Sequence, residues 1–258
     1  MSYDHILLEE ADGVATITIN RPAVLNALSQ QTLTELIEAV DRVRDEGSAR
    51  ALLMTGAGRA FCSGADLSQQ LDPNDMGAGL EAGFNPLLER LFALPIPFVT
   101  AVNGVAAGGG CGYALAGDIV LAARSAYFLQ PFAGIGLVPD VGATWLLPRL
   151  VGRARATAMM MLGERISAEQ AEQWGLIWKA VDDDQLMVDA GAVARRLASG
   201  PTIALGLTRK AIADASTLSL TEALARERVD QRTAGRTVDH AEGVAAFREK
   251  RSSRFTGR

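Results

Sequence analysis

Two glycine-rich turns, Ser63-Gly64-Ala65-Asp66 and Gly108-Gly109-Gly110, are followed farther along the chain by one acid among apolar neighbours, Asp140. Turns with bare backbone amides can hold one oxyanion between them, and removing one such donor typically costs ~2.7–4 kcal/mol of transition-state stabilisation. A carboxylate beside that oxyanion can move protons next to a carbonyl. Gly64 permits an unusual backbone angle, so the Ala65 amide can turn into a cleft, and Asp66 is placed to cap the helix or loop that follows. Gly108-Gly109-Gly110 opens a helix, where outward amides and the dipole favour negative charge. Taken singly, each turn reads better as ordinary structure, and the pair together carries the oxyanion reading. Asp140 sits in Gly134-Ile-Gly-Leu-Val-Pro-Asp-Val-Gly-Ala-Thr-Trp145, and burial there would raise its pKa and make it a better base. The competing reading is a short acceptor capping a helix that starts near Ala143.

Other chemistries fit less well. Gly108-x-Gly110 is followed by Tyr113 and Asp118 comes too early, so the dinucleotide fingerprint is not met, and no Gly-x4-Gly-Lys-Ser/Thr phosphate loop occurs. The two cysteines, Cys62 and Cys111, lack Cys-x-x-Cys spacing, so neither a metal site nor a redox pair is expected. A nucleophilic cysteine wants a histidine partner, and the two histidines, His5 and His240, lie near the ends. Both thiols read as small packing residues.

The elements that must position these groups follow from hydrophobic patterning. Val14–Ile19 alternates, with Ala15, Ile17 and Ile19 on one face and Thr16 and Thr18 on the other, as a half-buried strand does. The runs at 51–54, 97–102 and 119–123 are continuously apolar, as in a parallel sheet covered on both faces. Between them, Ser29 is placed to cap a helix with the stripe Leu33, Leu36, Ile37, Val40 and Val43. Further helices are expected over 80–93 and 111–116. The second half favours helix at 152–163, 168–174, 184–199, 202–215, 220–234 and 240–250, with capping boxes predicted at Ser167-x-x-Gln170 and Ser219-x-x-Glu222. Pro201 divides an α/β core over 1–200 from a helical C-terminal region over 201–258.

The 258 residues are 48% hydrophobic and 21% charged, an ordinary globular profile with a formal net charge of −5. Nucleic acid and anionic membrane surfaces both want a basic face, so neither is expected as a partner. Met1–Glu10 has no basic region followed by an apolar run, and no stretch reaches the roughly 18 apolar residues that span a bilayer. A cytoplasmic location is the default expectation.

Five segments in order resemble the crotonase (enoyl-CoA hydratase/isomerase) superfamily along essentially the whole chain. They are Asn20-Arg-Pro-Ala-Val-Leu-Asn-Ala-Leu28, Ala60-Phe-Cys-Ser-Gly-Ala-Asp-Leu67, Ala101-Val-Asn-Gly-Val-Ala-Ala-Gly-Gly-Gly110, Gly163–Leu176 and Glu242–Arg251. The resemblance implies a spiral of ββα units with a helical C-terminal region used for oligomerisation and coenzyme A contact. It implies an acyl-CoA substrate, no metal, no separate cofactor, and a homotrimer or a dimer of trimers. By position, the amides of Ala65 and Gly109 would hold the thioester oxygen. Val24, Leu25, Ala27, Ser63, Asp66 and Leu67 would line the nucleotide and pantetheine path. Lys250, or Arg251, would reach a phosphate. The acyl pocket is expected from 68–92 and 128–132.

One scaffold hosts many reactions. Hydratases of the superfamily carry glutamates where this chain has Gly112 and Phe132, and water addition needs groups that activate the water. An acid at Asp140 matches isomerase members instead. Gly136–Arg149, Ala234–Gly243 and Lys250–Gly257 are similar to the branch that acts on ring-1,2-epoxyphenylacetyl-CoA, implied to form an oxepin and to shift 3-enoyl to 2-enoyl thioesters. The alternatives are a hydratase and an aryl-acyl-CoA dehalogenase. The dehalogenase branch wants a histidine to assist water, and none lies between His5 and His240. An RNA-binding relative would want a basic stripe.

Overall fold

The structure, a computed structural model, describes residues 3–68 and 74–258. Met1 and Ser2 of the N-terminal segment, and residues 69–73 of the stretch expected at the acyl pocket, lie outside the described residues.

The opening strands β1 (Ile6–Ala11) and β2 (Val14–Ile19) form an antiparallel hairpin. In β2, Ala15, Ile17 and Ile19 are buried while Thr16 and Thr18 are half-buried, as the alternation predicts. Helix α1 (Gln30–Glu46) starts where the Ser29 hydroxyl accepts the Thr32 N–H at 3.1 Å, and it ends at left-handed Gly47. It buries Leu33, Leu36, Val40 and Val43.

The chain then winds in a repeating way. Strands β3 (Ala51–Gly56), β5 (Phe98–Val102) and β7 (Ile119–Ala123) join one sheet, each followed by a short strand of a second sheet: β4 (Ala60–Cys62), β6 (Val105–Ala107) and β8 (Tyr127–Leu129). Helices α2 (Asn85–Ala93), α3 (Gly109–Leu115) and α4 (Ala143–Leu162) make the returns. The larger sheet closes with β10 (Lys179–Val181), in the order β1-β2-β3-β5-β7-β10 and parallel from β2 onward. The smaller sheet runs β4-β6-β8-β9, with β9 (Ile166–Ser167) antiparallel. Every residue of β3 and β5 is buried, which explains their unbroken apolar runs. This is the mixed α/β spiral of ββα units expected from the sequence.

Helices α5 (Ala168–Trp174) and α6 (Leu186–Ala198) follow, with α6 lying across β3, β5 and β7. After Pro201 come α7 (Thr202–Ala215), α8 (Leu220–Ala234) and α9 (Val238–Glu249). Arg209 stitches α7 to the core: it pairs with Asp118 at 2.7 Å and donates to the carbonyls of Leu91, Phe92 and Leu94. Among the described residues, no helix is long and apolar enough to cross a membrane.

Some expectations shift. The helix expected over 152–163 begins at Ala143 and is broken at Gly152, whose φ of 75° and ψ of 164° leave the helical region. The stretch expected as one helix over 80–93 opens with a π-helical turn, Leu80–Phe84. The expected helix at 111–116 starts two residues earlier, at Gly109. Ser219 and Glu222 form a full capping box. Ser167 caps α5 through the Gln170 N–H, and the return bond from the Gln170 side chain is not made.

Candidate active site

The strands that precede the two glycine turns are neighbours. β4 and β6 run parallel, with Cys62 opposite Ala106, so both turns leave the carboxyl end of the same small sheet. Gly64, at φ 98°, lies against the second turn: a Cβ there would stand 3.1 Å from the Ala107 carbonyl oxygen and 3.8 Å from the Gly108 Cα. A Cβ on Gly110 would stand 2.5 Å from the Cys62 carbonyl oxygen, so only glycine lets α3 seat on β4.

The amides follow from this backbone. Leu28 donates its N–H to Gly64 O at 2.8 Å and accepts the Asp66 N–H at 3.0 Å. That ladder alternates past Ala65, whose own N–H makes no hydrogen bond among the described residues. Gly108 is fixed by donating to Leu129 O at 3.0 Å, and Gly109 begins α3 with an N–H that no earlier turn satisfies. Two unpaired amides on adjoining turns can share one oxyanion.

Asp140 reaches the same place through its neighbour. Val141 rests on α3: a Cβ on Gly109 would stand 2.9 Å from its Cγ2, and a Cβ on Gly112 would stand 2.3 Å from its carbonyl oxygen. The half-buried carboxyl of Asp140 has Oδ1 buried with no hydrogen-bond partner, a condition shared, among the described residues, only with the side-chain amide of Gln130. Burial pushes its pKa up to about 6. The capping alternative is corrected here. The N-cap of α4 is Gly142, and the Ala143 N–H is taken by the backbone carbonyl of Asp140, so the side chain caps nothing in α4.

Apolar groups surround these atoms. The Phe84 ring stands 3.5 Å from the Cβ position of Gly109, and the Phe132 ring is equally close to that of Gly108. Tyr113 is wholly buried and donates its hydroxyl to the Phe84 carbonyl at 2.8 Å, anchoring the π-helical turn. Sequence reasoning missed Phe84, Tyr113 and Val141. A π turn has no hydrophobic period of its own, and nothing in Asp140-Val-Gly142 announces two successive left-handed residues.

The remaining expected residues divide. Val24, Leu25 and Ser63 are brought together: the Ser63 N–H donates to Leu25 O at 3.1 Å and its hydroxyl lies 3.5 Å from Val24 O. Leu67 stands 69% exposed on the same loop. The Ala27 side chain is buried, its N–H goes to Val24 O and its carbonyl accepts from Arg21, so it supports this loop from behind. The Asp66 carboxylate is fully employed by Arg21 at 2.9 Å and by the Ser68 hydroxyl and N–H. The Ser68 bonds, then Arg21, hold its pKa below the usual carboxylate range. At the far end of the chain Lys250 ends α9, exposed, with no partner for its ammonium among the described residues. Arg251 is held by Glu242 and Glu249 at 2.6 Å each. Of the two cations expected to reach a phosphate, Lys250 is the unengaged one. Cys62 and Cys111 are wholly buried and burial pushes both thiols up to about 12, so both are packing residues.

The chain is similar to known proteins over nearly its whole length. Residues 9–258 match the family model for enoyl-CoA hydratase/isomerase. The chain is 49% identical to the 1,2-epoxyphenylacetyl-CoA isomerase of Escherichia coli K12, covering 99% of each protein. It is 46% identical to a protein of Rhodobacter capsulatus named "probable enoyl-CoA hydratase", covering 100% of each. The crystal structure of an enoyl-CoA hydratase from Bacillus anthracis superposes with a TM-score of 0.95 at 33% identity, over 99% of this chain and 100% of that one. With its spiral fold, paired glycine turns and a family match over nearly its whole length, the chain belongs to the enoyl-CoA hydratase/isomerase, or crotonase, family.

Proposed function

We propose that the protein is an acyl-CoA isomerase in which Asp140 transfers the proton. The observation that carries this reading is the Asp140 carboxyl: buried at Oδ1, unpartnered, raised to about 6, and joined through Val141 to the Gly109 turn. A base with a pKa just below neutrality is ionised at pH 7 yet holds a proton well enough to return it.

The thioester oxygen accepts hydrogen bonds from the Ala65 and Gly109 amides. Asp140 removes a proton from the carbon alpha to the thioester, and the two amides stabilise the enolate oxygen that results. For a 3-enoyl-CoA, protonated Asp140 returns the proton at the gamma carbon and leaves a 2-enoyl-CoA. No atom is gained or lost, and the chemistry calls for neither a metal nor an electron carrier. Coenzyme A enters as part of the substrate, along Val24, Leu25, Ser63, Asp66 and Leu67, with Ala27 behind them and Lys250 at a phosphate. The same alpha-proton abstraction on 2-(1,2-epoxy-1,2-dihydrophenyl)acetyl-CoA gives an enolate that drives opening of the ring to the seven-membered ether, and protonated Asp140 returns the proton to a ring carbon, so the oxepin product is an isomer of the substrate. The name of the Escherichia coli relative supports this ring substrate.

A hydratase reading draws on the Rhodobacter capsulatus relative. Against it stand Gly112, whose side-chain space is taken by Val141, and Phe132, an apolar ring against Gly108. We further propose that residues 1–200 form the catalytic core and that 201–258 serve assembly into trimers. Ile212, Leu220, Leu224 and Phe247 on α7, α8 and α9 are exposed apolar side chains that such assembly would cover.

The test is to mix the purified protein with a 3-enoyl-CoA and follow the ultraviolet absorbance of the conjugated thioester. Growth without later decay is expected. Growth followed by decay would mean hydration, and wild-type rates in Asp140→Asn would sink the role of Asp140.

A further inference from the structure

Val141 combines features that do not ordinarily coincide. It is β-branched, yet its φ is 46°, in the left-handed region where such residues are rare and strained. It is also 1% exposed, so the strain is held in the interior rather than relieved at a surface. Its two methyl groups face two glycines of one helix, Cγ2 towards Gly109 and Cγ1 towards Gly112, each 2.9 Å from where a Cβ would stand. The adjacent Gly142 is left-handed as well, at φ 71°, so the backbone makes a tight reversal directly after Asp140.

Asp140 is anchored only locally, through its own backbone N–H. Its buried Oδ1 accepts no hydrogen bond, and no cation pairs with it among the described residues. Tyr113, on α3, is the titratable group whose field senses Asp140, and its hydroxyl proton is committed to the Phe84 carbonyl. No charged group acts on Asp140 in its titration from α2, α3 or α4. A carboxylate with no donor beyond its own backbone N–H is oriented by that backbone and by the apolar walls beside it.

We propose that Val141 is a positioning residue: its side chain, wedged onto Gly109 and Gly112, fixes the Asp140 carboxyl beside the oxyanion turn and keeps water from it. Gly112 is then the partner of Val141, a glycine so that the valine can seat. The inference rests on the isomerase reading for its catalytic consequence, but its structural content can be measured separately.

The experiment uses the full chain and the variants Val141→Ala and Val141→Gly. Infrared difference spectra against Asp140→Asn isolate the Asp140 carboxyl band, which is titrated with pH. In the wild type its midpoint is expected near the value of about 6. In both variants admitted water should lower it by about one unit, a tenfold change in proton affinity. On a 3-enoyl-CoA, kcat should fall about tenfold at pH 8 with KM nearly unchanged, since the base is misplaced and substrate contacts are kept. A residue that only filled space would lower the melting temperature and leave the midpoint and the acid limb of the kcat profile where they were. That outcome in either folded variant overturns the proposal. Should neither variant fold, Gly112→Ala decides, because its methyl displaces the Val141 carbonyl and must reproduce both shifts. A wild type inactive on enoyl-CoA would remove the isomerase reading while the titration still judged the wedge.

Discussion

Asp66 and Asp140 stand on the two loops that flank the candidate oxyanion site, and they are opposites. Asp66 is satisfied on every side, by Arg21 and by Ser68, and these bonds hold its pKa down. Asp140 has a buried oxygen that nothing satisfies, and desolvation raises it to about 6. The first carboxylate gains its bonds in folding and fixes a loop. The second is left in a state that costs stability and favours proton transfer. Environments that drive two like groups apart in pKa assign their roles more securely than residue type does.

The contrast is broken most directly at Asp140. Asp140→Asn should lower kcat for enoyl isomerisation about 10²–10⁴-fold while acyl-CoA binding, followed by calorimetry, persists. Because the folded pKa of Asp140 is raised, the folded state binds this proton more tightly than the unfolded one. Its ionised form therefore opposes folding above about pH 6, and this cost disappears as pH falls towards the ordinary value of 3.8. At pH 8, Asp140→Asn should accordingly raise the melting temperature by about 2–4 °C while it lowers turnover. A lower melting temperature would show that the carboxylate is supported in a way its bonding does not reveal.

Asp66 should behave in reverse. Its folded pKa is lowered, so its contribution is complete above the unfolded value and is lost as pH falls through the folded one. Asp66→Asn should cost about 1 kcal/mol in denaturant unfolding at pH 7 and lower activity only through the loop. A loss of kcat as deep as that of Asp140→Asn would erase the distinction between the two acids. The mildest test carries the comparison to cations. Lys250→Ala, removing an unengaged charge, should raise KM for acyl-CoA less than about fivefold, while Arg251→Ala, removing a paired one, should leave KM unchanged. Equal effects on KM would mean that ion pairing at the end of α9 does not govern ligand contact.

Much of this arrangement was legible in the residues. The unbroken apolar runs of β3, β5 and β7 announce a sheet buried on both faces, and Ser29 announces the start of α1. The two glycine turns and Asp140 stand out because their types suit oxyanion binding and proton transfer. What stayed hidden depends on distant partners. Ala65 has a free amide because Leu28 takes the groups on either side of it, and no local pattern reveals a ladder made with residues so far away. Val141 is left-handed because α3 presents two glycines to it, a tertiary constraint that overrides the conformational preference of valine. The π turn at 80–84 is held by a tyrosine from another helix. The Ser167 cap forms with one arm because the local signal states only that a bond is available.

The alternation of strands between two sheets also has a kinetic consequence. Each parallel pair joins residues separated by a whole crossover, such as Met54 with Thr100 and Val181 with Ala123. Loop-closure entropy is paid before such contacts return anything, so chains of this topology fold slowly. The two glycine turns become neighbours only when β4 has found β6, and Asp140 joins them only when Val141 has docked on α3. During synthesis the ribosome must therefore release both small strands before the two turns can meet, and the start of α4 before Asp140 can join them. The Asp140 carboxyl is the last of the three groups to arrive.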